Sequence, residues 1–181
     1  MSWPDVGLVV LRVVLGGIYL AHGARKMGWI GDGQFGDFTA SIARRGFRPP
    51  RAWAVAAVSA EIIGGGLVVI GLATPFGAAL LVSQSVTIAA LVANRGFWHS
   101  DGGVEYPLAL GAAATAIVLI GAGAVSVDAL LGIDYPMGLA GLLIAVAVAG
   151  GLLSLLTRRS STTSAGAGGA PPGAVHDRPD R

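Results

Sequence analysis

The sequence predicts an all-α polytopic membrane protein: a four-helix transmembrane bundle, a fifth C-terminal span and a disordered tail. Three observations predict it. The chain of 181 residues is 54% hydrophobic and only 12% charged, whereas soluble domains carry roughly 25% charged residues. Its apolar residues gather in runs of about 20, the length that crosses a bilayer. Threading those runs in alternation puts eleven of the twelve Lys and Arg residues on one side, Arg12 being the exception inside the first run.

The predicted spans cover residues 6–26, 52–72, 75–93, 104–124 and 136–157. Their connectors carry helix-boundary chemistry. Thr74-Pro75 reads as a cap followed by Pro at the first helical position. Asp101 caps the fourth span, and Glu105 in its first turn suits the helix dipole. Asp134-Tyr135-Pro136 repeats the cap-then-Pro pattern ahead of the fifth. In the long first connector, Phe35, Phe38 and Ile42 at i, i+3, i+7 predict a short helix lying on the membrane surface. Residues 1–128 are thus expected to form the four-helix domain and 129–159 an additional helix outside the working bundle. Residues 160–181, rich in Gly, Pro and Ser, are expected to form a disordered cytoplasmic tail.

Charge fixes an expected orientation. Arg25, Lys26, Arg44, Arg45, Arg48 and Arg51 follow span one, Arg95 follows span three, and four arginines follow span five. The opposite side holds only Asp5, Asp128 and Asp134. The positive-inside rule then places the N-terminus outside and the C-terminus in the cytoplasm of a cell (plasma) membrane. Trp3, Trp29, Trp53 and Trp98 all fall near span ends, where interfacial tryptophans belong. The start of the chain lacks a basic region, so no cleaved signal peptide is expected.

Composition also excludes chemistry. There is no Cys, so disulfide exchange, thiolate catalysis and Cys-ligated clusters are absent from this chain. The three His residues form no haem-ligating pair, and no metal site is expected. The basic residues flank apolar spans and form no aromatic-interleaved patch, which argues against nucleic acid as a partner.

Ionised side chains within a bilayer cost roughly 2.5–3.5 kcal/mol on insertion scales, so each needs an explanation. Arg12 in span one and Glu61 in span two fall at similar predicted depths. They are expected to form an intramembrane ion pair, with Gln84 of span three joining it. Arg12, Tyr19 and Lys26 are spaced by seven, with His22 three after Tyr19, which puts a polar stripe on one face of span one. The segment from Arg95 to Pro107 returns to the basic side, where His22 and Lys26 emerge. His22, Lys26, His99, Glu105 and Tyr106 are therefore the expected pocket, with proton donors and acceptors between aromatic walls, suited to a quinone head-group. A purely structural role for each group is an equally simple reading: an ion pair that sets helix register, snorkelling cations and an anchored loop.

The stretches LRVVLGGIYLAHGARKM, AEIIGGGLVVIGLATPFG and NRGFWHSDGGVEYPLAL resemble the signature regions of the DoxX family of small bacterial membrane proteins. The resemblance runs roughly over residues 8–128. It implies a four-helix membrane bundle linked to oxidoreductase systems, quinone and thiol or oxidative stress. It carries importance onto Arg12, His22, Lys26, Glu61, Glu105 and Tyr106, and less strongly onto His99. The fifth span and the tail depart from the family pattern.

Three functions follow as expectations. The first is a membrane subunit of an oxidoreductase or oxidative-stress system, touching quinone and a partner redox protein. The second is a non-catalytic scaffold or chaperone that recruits a partner protein through the basic face. The third, a small transporter, is disfavoured because no broken-helix repeat is present.

Overall fold

The computed structural model describes residues 2–158; the predicted tail lies outside the described residues. Among those residues the secondary structure is helical apart from one isolated bridge between Phe47 and Arg158. Helix α1 spans Trp3–Met27 and α2 spans Phe35–Arg44. Helix α3 (Pro50–Ser59), a π turn (Ala60–Gly64) and α4 (Gly65–Ile70) stack into one rod. Helix α5 spans Thr74–Val92, α6 Glu105–Ile120, α7 Val127–Leu130 and α8 Met137–Leu156.

Four helical stretches are long and apolar enough to cross a membrane: α1, the α3–α4 rod, α5 with its terminal turn, and α8. The predicted fourth span is the shorter α6, of 16 residues, or about 24 Å. It packs along α5 inside the bundle. Many of the exposed side chains on the spans are large and apolar, among them Val13, Val14, Leu119, Leu142, Val146 and Leu153. A water-soluble bundle would place polar groups there; lipid tails ask for apolar ones.

Helix α5 is the hub, touching the α3–α4 rod on one side and α6 and α8 on others. Apolar residues surround it, so it buries well from several directions. Leu81, Val82 and Ala78 of α5 meet Leu15, Val68, Ile117 and Ala147 from the other four long elements in one core. Helix α8 is therefore not the separate anchor expected from sequence. The Thr87 hydroxyl of α5 donates to Gly151 O at 3.2 Å and lies 3.3 Å from Ser154 Oγ, both on α8.

Small residues set how close the first two spans come. A Cβ built on Gly16 would lie 2.6 Å from Gly65 O, and one on Gly65 would lie 2.8 Å from Gly16 O. Only glycine allows that approach. The same contact fixes register, because Gly23 stands opposite Glu61 and Ile62. Met27 then stands about level with Ala57, and the first turns of the rod project beyond α1 to pack with α2. Gly65→Leu is expected to separate these helices and cost about 3 kcal/mol. A detergent-purified variant whose midpoint temperature and elution profile match wild type would refute this packing.

Candidate functional site

Arg12 is buried at 2% exposure and makes four hydrogen bonds, all to backbone carbonyls. Nε donates to Val68 O at 2.9 Å and NH2 to Val69 O at 3.1 Å. NH1 donates to Ala122 O at 2.6 Å and Val125 O at 2.8 Å. The last carbonyls of a helix have no intrahelical partner and carry partial negative charge, so the end of α4 is a natural seat for a guanidinium. Gly71, at φ 72°, closes the helix there; a Cβ on it would overlap the Arg12 guanidinium. Asp128 completes the junction. Its carboxylate accepts from Ala73 N (2.8 Å), Thr74 N (3.0 Å) and the Tyr135 hydroxyl (3.1 Å), and its own N–H donates to Gly71 O (2.8 Å).

The expected Arg12–Glu61 ion pair therefore does not form. Glu61 is level with Gly23 on α1, eleven residues from Arg12, or about 16 Å along the helix. The pairing expected from sequence needs the inner ends of the two spans to lie level, and in the fold those ends are offset. Glu61, also 2% exposed, instead pairs through Oε1 with the Lys26 ammonium. Gln84 Nε2 donates to the same oxygen at 3.3 Å. The other oxygen, Oε2, is buried without a hydrogen-bond partner. Glu61 lies on the π turn, an irregularity that often marks functional positions in helices.

Lys26 and Gln84 form part of the wall of a cleft of about 320 Å³ between the rod, α5 and α8. Helix α2 closes its end through Phe38 and Ile42, and Phe47 and Trp53 add aromatic surface. The Lys26 ammonium also lies 4.6 Å from the centre of the Phe38 ring, a cation–π contact. Gln84 makes no further hydrogen bond among the described residues, so its carbonyl oxygen and second N–H remain available on the cleft side. Trp53, read from sequence only as an interfacial anchor, is a wall of this cleft. Nothing local in the sequence signals that role, because α8 and α2 build the opposing walls.

The five residues of the expected pocket divide. His22, His99, Glu105 and Tyr106 gather at the basic end of α1 and α6. His22 Nε2 lies 3.4 Å from the Tyr106 hydroxyl, the His99 ring centre is 5.3 Å from that of Tyr106, and Glu105 Oε2 accepts from His99 N at 2.9 Å. His22, His99 and Tyr106 are exposed, so this group is an open cluster and not a lined cavity. Lys26, one turn beyond His22, belongs to the cleft. Deeper on the stripe, the Tyr19 hydroxyl lies 2.6 Å from Ser85 Oγ and ties α1 to α5.

Asp128 was legible in the sequence only as one of three acids on the side away from the arginines. Burial opposes its ionisation, but the hydrogen bonds from Thr74, Ala73 and Tyr135 outweigh it and hold its pKa below the ordinary 3.8. A depressed carboxylate pKa stabilises the fold above the unfolded value and loses that contribution as pH falls through the folded value. Asp128→Asn is thus expected to be less stable than wild type at pH 7 and to lose less on acidification from pH 6 to 3, read by melting in detergent. Arg12→Met, which strands the α4 carbonyls, is expected to cost about 3 kcal/mol or more, and Arg12→Lys to recover only part of it. Wild-type melting of Arg12→Met would remove the clamp from the account.

Comparison with known proteins gives one match. The DoxX family model covers residues 7–94, that is α1, α2, the rod and α5, and stops short of α6 and α8. No curated protein and no solved structure matches the chain. Residues 7–94 thus match a DoxX domain, and the four membrane-length apolar helices agree with a membrane protein that resembles that family.

Proposed function

We propose that the protein is a quinone-binding membrane subunit of an oxidoreductase or oxidative-stress system, and that the head-group docks in the cleft beside Lys26 and Gln84. The observation that carries this reading is the buried Glu61 carboxylate, bound by half-buried Lys26 and Gln84 on the wall of an amphipathic cleft, with one carboxylate oxygen left unpartnered. A quinone offers carbonyl acceptors, and the free N–H groups of Lys26 and Gln84 are donors on that wall. A quinol offers hydroxyl donors, and the Gln84 carbonyl accepts. Glu61 acts as a positioning residue, holding both donors through one oxygen. The apolar stretch along Ala56, Ala60 and Leu80 suits an isoprenoid tail. With no Cys in the chain, electrons would pass to or from a partner redox protein.

In this reading the open cluster of His22, His99, Glu105 and Tyr106 handles proton exchange at the membrane surface, because its side chains can both give and take protons. The orientation follows from charge: the end bearing Arg45, Arg95 and Arg158 faces the cytoplasm of a plasma membrane and the Asp128 end faces outward. A scaffold that recruits a soluble partner remains the alternative, favoured by the same basic face.

The test is extraction and mass spectrometry of quinone from detergent-purified protein. Wild type is expected to retain quinone, Gln84→Leu to lose up to about tenfold, the worth of one neutral hydrogen bond in a desolvated site, and Tyr106→Phe to retain it. Loss in Tyr106→Phe with retention in Gln84→Leu would move the site to the open cluster. A wild-type protein that binds no added quinone but co-purifies with a stoichiometric partner would replace this reading with the scaffold.

A further inference from the structure

At the rim of the cleft two arginines from distant parts of the chain, Arg45 and Arg158, come together, and the charge of a third, Arg95, reaches Arg45. Arg45 follows α2, Arg95 ends the turn after α5, and Arg158 follows α8. The end of α8 is stitched to the end of α2. Arg158 Nε donates to Arg45 O at 2.8 Å, Arg158 pairs with Phe47 as an antiparallel bridge, and its guanidinium carbon lies 5.9 Å from the Phe47 ring centre. Arg45 is also part of the cleft lining. Desolvation, and then the charges of Arg95 and Arg158, push the Arg45 pKa below its ordinary value, although much of its surface stays accessible. Like charges brought together by tertiary structure repel one another. Among the described residues the ion pair found is Lys26–Glu61, so no described carboxylate answers this cluster.

We infer that Arg45 and Arg158, in the field of Arg95, bind a phosphate group, supplied by the head-group of an anionic phospholipid at the mouth of the cleft. Guanidinium groups match phosphate oxygens in planar, bidentate geometry. The cluster lies at the basic ends of membrane-length helices, the level at which lipid head-groups run, and the apolar wall below it leaves room for acyl chains. An inner leaflet rich in anionic lipid strengthens the attraction. Such a lipid would neutralise the repulsion, hold α8 against α2 and cover the cleft mouth. The inference does not rest on quinone binding, because its phosphate contacts come from arginines at the rim and the quinone head-group's from Lys26 and Gln84.

The experiment uses the full-length protein in detergent with added phosphatidylglycerol or phosphatidylcholine, read by native mass spectrometry and by melting. Arg45→Gln and Arg95→Gln are the test variants; neither side chain makes a hydrogen bond among the described residues, so both are expected to fold. Arg25→Gln, exposed on the same basic side, is the control. Wild type is expected to retain phosphatidylglycerol over phosphatidylcholine and to melt higher with it. Arg45→Gln should weaken that retention about tenfold, Arg95→Gln should weaken it less, and the control should leave it unchanged. Stabilisation by millimolar inorganic phosphate, lost in the same variants, would keep the phosphate site and assign it to a free anion. Equal phosphatidylglycerol retention in wild type and both variants, or equal loss in the Arg25→Gln control, would overturn the inference.

Discussion

The Arg12 guanidinium is the interaction on which the arrangement of the first half of the bundle depends. A charge in the apolar interior survives only when its donors are satisfied. Arg12 satisfies its own by taking carbonyls from two places that have carbonyls to spare, the end of α4 and the loop after α6. One side chain therefore joins α1, the rod and the connector between α6 and α7. Asp128 adds the complementary half by capping the first N–H groups of α5. Positive charge meets the end of one helix and negative charge the start of the next, each where the backbone dipole favours it.

The second buried charge system follows from the same helix geometry. Side chains on a helix lean toward its N-terminus. On α1 that leaning carries Lys26 from the basic end back into the bundle, where it meets Glu61 about one turn deeper. Arg12 leans the other way from Glu61, toward the acidic end. The glycine contact between Gly16 and Gly65 fixes this register, so it determines which charge pairs with which. Two separate clamps result, one near each end of the α1–rod pair, in place of a single mid-membrane ion pair.

Function is expected where the clamps leave something unspent. The outer clamp uses its groups on backbone atoms and holds the fold. The inner one presents Gln84 and Lys26 on a cleft wall and leaves Glu61 Oε2 without a partner. That cleft needs α2 as its cover and α8 as its far wall, and α8 lies beyond the DoxX match. The last helix thus changes the shape of the site, and it also brings Arg158 against Arg45 at the rim.

The sequence by itself determined the class of protein and the path of its chain. Long apolar runs and one-sided arginines depend only on local composition and on the energy of polar groups in lipid, so they read directly; the expected side-chain caps did not form, since Ala73 and Pro136 stand at the N-caps of α5 and α8. The surface helix over Phe35–Arg44 was legible for the same reason, through its apolar spacing. The individual residues that matter, Arg12, Lys26, Glu61 and Gln84, also stood out, because each is expensive in a bilayer. Their partners did not. Pairing depends on how far one span slides past another, and that offset is set by glycine contacts and by the long first connector, neither of which changes hydropathy. The role of Asp128 and the cleft behind Trp53 were likewise decided only when α5, α7 and α8 packed, since each is built from residues more than fifty positions apart.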